Sequence, residues 1–210
     1  IPYQPWAAAR KQENVDNWLD RDPEIQCYLP GVPRAMYLPY PWQVFQGTDK
    51  IMMVFEFANA QRIIHLDEVE PYPNDAWMGH SVGHWEGDTL VVDVTNFTEN
   101  TWVVGHGAPP EGAPASALTT GHGAFHSDEL HVVERFTLRD ADTIHYEVTI
   151  EDPQVFTQPW TIAFDALVRA PEDHMLFEYA CHEGNIGMEG ILAGHRGEER
   201  PTADETGSEQ

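Results

Sequence analysis

Turn signals cut most of this chain into short β-hairpins. Gly47-Thr48-Asp49, Asn59-Ala60, Gly87-Asp88, Asp140-Ala141-Asp142 and Pro171-Glu172-Asp173 each separate two runs rich in apolar and polar alternation. Connections this short force antiparallel neighbours. They predict strands over 42–46, 50–57, 61–66, 80–86, 89–95, 130–139, 143–151, 159–169 and 174–182. A meander of this length has two edges, and open edges invite pairing with other chains. The expectation is a mainly β domain over 42–184, closing into a calycin- or lipocalin-like barrel or folding as a two-sheet sandwich.

The flanks read differently. Residues 5–20 predict a helix: Pro5 suits a first turn, the following Ala-Ala-Ala-Arg-Lys-Gln-Glu favours helix, and Trp6, Val15, Trp18 and Leu19 form one apolar stripe. Prolines at 23, 30, 33, 39 and 41 exclude helix and central strand from the arm that follows. That arm, completing segment 1–41, is expected to run extended over the domain surface. Residues 105–124 are rich in Gly, Ala, Pro and Ser and predict a long loop, a lid or an insertion. A short helix over 186–196, capped by Asn185 within segment 185–200, and a flexible tail over 201–210 end the chain.

Pairing Arg139 with Thr143 across a three-residue turn puts Arg135 opposite Glu147, whereas a two-residue turn opposes Glu134 to Glu147. The first register is favourable, the second is not. In the first, Val132, Phe136, Leu138, Ile144, Tyr146, Val148 and Ile150 share one face with a single charge, Glu134. A carboxylate there needs a cation, a metal or a proton. Either it pairs with a core arginine such as Arg34 or Arg62, or it is a functional acid.

His122, His126, Asp128 and His131 lie within ten residues and form the densest group of metal-ligand types. Imidazole and carboxylate suit zinc, and carboxylate suits calcium. Their spacing matches no standard zinc signature, so three readings stand: ordinary hydrogen-bonded histidines, a divalent metal site (Zn or Ca), or metal-free acid–base use of His126, Asp128 and Glu134. His80 and His84 would lie about 13 Å apart on a strand at ~3.3 Å per residue, too far for one ion. With His145 and Glu178 they lie on strand faces that mix acids, histidines and apolar residues, as in a ligand-lined barrel. The last hairpin should oppose Asp165 to Glu178, beside His174 and His182.

Acids outnumber bases 35 to 11, for a formal charge of -24, which excludes nucleic acid and anionic membrane as partners. No apolar run reaches the ~20 residues of a membrane helix. Cys27 and Cys181 are either a disulfide or two buried thiols. A start at Ile1, with no signal peptide, implies a trimmed chain. Nucleophile-elbow, Walker, dinucleotide and haem-attachment patterns do not occur.

The segments WMGHSVGHWEGDTLVVDVTNFTENTW, FHSDELHVVERF, DADTIHYEVTIEDPQVFTQPW and EYACHEGN resemble a family of uncharacterised exported bacterial proteins common in acidobacteria and marine bacteria. The resemblance covers about residues 2 to 200. It implies a periplasmic or extracellular setting with a signal peptide removed, and lends no catalytic residue. His126, Ser127, Asp128, His131 and Glu134 fall inside the matching motif. The loop carrying His122 is longer than the family's.

Three functions follow as expectations. The first is a β-barrel binding a small molecule or a divalent ion in or beside the barrel. The second is a lyase, isomerase or hydrolase using His126 and Glu134. The third is a structural or accessory subunit with a protein assembly partner.

Overall fold

A computed structural model describes residues 1–105 and 123–181. The expected helix over 186–196, the tail, His122, His182 and most of the 105–124 loop lie outside the described residues. Residues through Tyr179 form one compact unit. Ten strands are present among the described residues: β1 (Trp42–Gln46), β2 (Lys50–Phe55), β3 (Gln61–His65), β4 (His80–Glu86), β5 (Thr89–Thr95), β6 (Trp102–Val104), β7 (Ala124–Phe125), β8 (His131–Leu138), β9 (Thr143–Glu151) and β10 (Trp160–Val168). Eight build one curled sheet in the order β1-β2-β3-β4-β5-β8-β9-β10, and β6 pairs with β7.

Where the expected hairpins form, their registers are those the turns dictate; the one across Pro171-Glu172-Asp173, with Asp165 opposite Glu178, does not form. Trp85 opposes Leu90 across Gly87-Asp88, and Arg135 opposes Glu147. The meander is not purely antiparallel, however. β3 and β4 pair in parallel through Ile64↔Ser81 and His65↔Val82, because residues 66–79 between them are a crossover, not a tight turn. The expected closure is also not made. The sheet is a strongly curled half-barrel whose edges, β1 and β10, do not pair. The expected ninth strand over 174–182 is not a strand in its described part. Beyond Pro171 the chain turns away from β10: Phe177 N–H donates to Glu56 Oε2 (2.9 Å) and Tyr179 O accepts from Asn59 Nδ2 (3.1 Å).

The N-terminal segment differs most from expectation. The helix breaks at Asn17 into α1 (Pro5–Asp16) and α2 (Trp18–Arg21). Its buried face is Ala7, Lys11 and Asn14, while Trp6 and Leu19 are exposed. The proline arm does not lie on the surface. Val32, Ala35 and Met36 join Ile64, Val92, Val132, Val148 and Ile150 in one core. Prolines deny the arm a ladder of its own, so it is held by side chains instead. Arg34, fully buried, pairs with Asp22 (2.7 Å) and with Glu24. A bent arm packed into the concave sheet substitutes for the strands that would have closed a barrel.

Neither cysteine is free; both are disulfide-bonded. Among the described residues no helix is long and apolar enough to cross a membrane.

Candidate functional site

The histidine-rich segment is a structural latch. Gly123 begins it with φ +74°, and a Cβ there would come within 2.9 Å of Lys11 O. Its carbonyl takes the Asn14 amide (3.2 Å), fixing the segment to α1. His126 is buried, with Nδ1 against Ser127 O (2.7 Å) and Nε2 against Thr101 Oγ1 (2.6 Å). Nδ1 donates, because a carbonyl only accepts, so Nε2 accepts the Thr101 hydroxyl. Burial pulls the His126 pKa down, against the Ser127 hydrogen bond and the Asp152 charge. A neutral ring with both nitrogens engaged has no lone pair for a metal or a substrate proton.

Ser127 binds Asp152 twice, through N–H (2.7 Å) and Oγ (3.0 Å). The buried Asp152 also accepts from the Gln154 and Val155 N–H groups (3.0 and 3.1 Å). Thr101 and Asp152 were not singled out from sequence. The signal available for Asp152 was the Asp-Pro pair ending a strand, where an Asx-turn is favoured.

The remaining members diverge. Asp128 is exposed. His131 and Glu134, three apart on β8, point to opposite faces. His131 lies on the outer face with Asp93 (2.9 Å) and Glu151 (3.4 Å). Partial burial lowers its pKa, but these carboxylates outweigh that, and the net shift is upward. Among the described residues no group of three or more His, Cys, Asp or Glu is placed to hold a metal ion.

Glu134 points inward and is fully buried. Its Oε2 pairs with Arg62 Nη2, and its Oε1 accepts the Tyr146 hydroxyl (2.7 Å). Arg62 Nε also donates to Ser81 Oγ (2.9 Å). Burial first, and then the Glu134 carboxylate, push the Tyr146 pKa well up. The acid has therefore found a core arginine, one of the two candidates. The other, Arg34, is held by Asp22 and Glu24.

The expected ligand-binding residues do not share a cavity. His80 is buried on the outer face, its Nε2 donating to Val69 O (3.0 Å) and its ring stacked on His65 at 5.5 Å. His84 is exposed beside Glu86 (3.3 Å), His145 bonds Asp165 (2.6 Å), and Glu178 is exposed on the segment that left the sheet. Asn96, in the Asn-Phe-Thr sequon, uses its amide on Tyr72 O and Asn74 O (3.3 and 2.9 Å).

The cavity lies elsewhere, at the unsealed seam. A cleft of about 1030 Å³ runs between β1 and the ends of β8, β9 and β10. Trp42 and Val44 form one wall, Leu138, Ile144, Leu167 and Val168 the other, and Met36 and Leu38 of the arm also line it. Ligand pockets typically measure roughly 300–1,000 Å³. Among its lining residues the ionisable groups besides Tyr40 are Asp142, Arg169 and His174, and Asp142 is paired to Arg169 (3.0 Å). Such a lining, part apolar and part polar, can hold a ligand with an apolar portion. Sequence gave no sign of the cleft, because it forms where two edges fail to meet.

No family model matches the chain, and no curated protein or solved structure matches it either.

Proposed function

We propose that this protein is a binding module, a calycin-like half-barrel that takes an elongated apolar ligand in the seam cleft. The observation that carries this reading is the cleft itself, with apolar side chains on both walls among polar groups, and left open because the meander stops short of closure. Exposed Val44, Leu138, Val168 and Met175 line the cleft, so apolar surface is already facing water where a ligand can cover it. The disulfide and the family resemblance support an exported, oxidising setting. No observation favours acid–base use of His126 and Glu134 or a metal over this reading, since both side chains have their polar atoms committed to neighbours.

Titration with an uncharged apolar dye, N-phenylnaphthylamine, tests it. The wild-type chain should bind the dye saturably. Val168→Glu, at a position already 66% exposed and therefore safe for folding, should weaken binding about tenfold, the cost of desolvating a carboxylate beside an apolar ligand. Absence of binding, or equal binding by the variant, contradicts the proposal.

A further inference from the structure

The cleft has one wall that offers more than apolar side chains. Gly47 N–H donates to Lys50 O (2.8 Å) and Glu56 N–H to Pro41 O (3.0 Å). β1 pairs with β2 through Trp42↔Phe55, Val44↔Met53 and Gln46↔Ile51. Bonded and non-bonded pairs alternate along an antiparallel ladder. Residues 41, 43, 45 and 47 therefore direct their peptide groups to β2, and Trp42, Val44 and Gln46 direct theirs away. Among the described residues no strand pairs with that outward row.

Sheet edges are normally blunted by charge, proline or a bulge. The other edge, β10, carries Asp165 and a register shift between Phe164 and Leu167. β1, reading WQVFQ, has none of these in a chain with 35 acidic residues. Pro41 just before it lies on the β2-facing parity and removes no outward donor. Val44 and Phe45 are 44% and 51% exposed. Among the described residues the strand is an unpaired edge, and its residues Trp42, Gln43 and Val44 line the cleft.

The dimensions suit one occupant. A five-residue strand fills roughly 800 Å³ at spacings of ~3.3, ~4.8 and ~10 Å, within the 1030 Å³ present. A molecule without a backbone would fill the volume but leave the outward N–H and C=O row unused. Met36, Leu38 and Ile144, which line the same cleft, are the apolar side chains available to such a strand. A net charge of -24 disfavours an acidic ligand.

We propose that the cleft's ligand is an extended peptide, apolar at alternate positions and neutral or basic, that adds as a strand to the free edge of β1 through Trp42, Val44 and Gln46. The inference rests on the cleft being the binding site and names the class of its ligand.

The test uses the full chain, the apolar dye, and a capped hexapeptide alternating valine and threonine with a terminal lysine. Two further peptides carry N-methyl groups on alternate residues, one set per parity. The parent peptide should bind and displace the dye. One methylated set should bind about tenfold or more weakly and the other within about twofold, because only one parity faces β1. Equal binding by all three peptides overturns the strand-addition proposal, as does dye binding without peptide binding; both leave the cleft standing. Failure of dye and peptide together removes the cleft as the site, and this inference with it. The peptide series needs no variant to fold.

Discussion

Replacing Glu134 by leucine should destabilise the protein strongly. Glu134 is 0% exposed and Arg62 2%. The substitution leaves the Arg62 guanidinium buried without its carboxylate, and such a loss costs about 3–5 kcal/mol. It also takes the acceptor from the Tyr146 hydroxyl, itself 0% exposed, which adds about 1–3 kcal/mol. The apolar leucine returns part of this, so the net expectation is about 4 kcal/mol. For a domain of this size that lowers Tm by roughly 8–16 °C. Converting the cluster together, Arg62→Met, Glu134→Leu and Tyr146→Phe, should recover most of the loss, because no buried charge is then left alone. Urea denaturation of wild type, Glu134→Leu and the triple variant measures all three. A Glu134→Leu variant as stable as wild type would refute the ion-pair account and restore Glu134 as a candidate functional acid. A triple variant worse than the single one would show that the cluster is not closed on itself.

Other outcomes follow from the same geometry. The His131 pKa is raised above its ordinary 6.5 by Asp93 and Glu151, so its contribution is fully present below pH 6.5 and is lost as pH rises through the raised value. Unfolding midpoints of His131→Gln should therefore fall below wild type at pH 5.5 and match it at pH 9. His126 has the opposite sign. Its pKa is lowered by burial, so stability fades as pH falls below 6.5, and NMR titration should place the midpoint of its ring below that ordinary value. His126→Ala, which strands Thr101 Oγ1 and Ser127 O in the interior, should cost about 2–4 kcal/mol in chemical denaturation. It should leave dye affinity unchanged, and a parallel loss of dye affinity would place the latch in the site.

Local chemistry was legible in sequence, and non-local chemistry was not. The Gly87-Asp88 hairpin and the Arg135↔Glu147 register were readable because turn geometry and cross-strand charge act over a few residues. The same register made Glu134 an inward acid in need of a partner, and Arg62 supplies it. The parallel β3–β4 pairing was hidden in a crossover whose path no turn rule sets. The arm was misplaced because its prolines say only what it cannot form. Its burial depends on Arg34 meeting two acids 10 and 12 residues earlier. The histidine segment drew attention by composition, yet its histidines are used separately: one in a buried latch, another in an outer-face ion pair.

Hydrogen–deuterium exchange of the full chain, with and without the saturating valine–threonine hexapeptide, tests the central claim most directly. The account predicts new protection at Trp42–Gln46 and around Ile144 and Val168, with residues 126–134 unchanged. Protection concentrated at 126–134, with β1 exchanging as before, would contradict it.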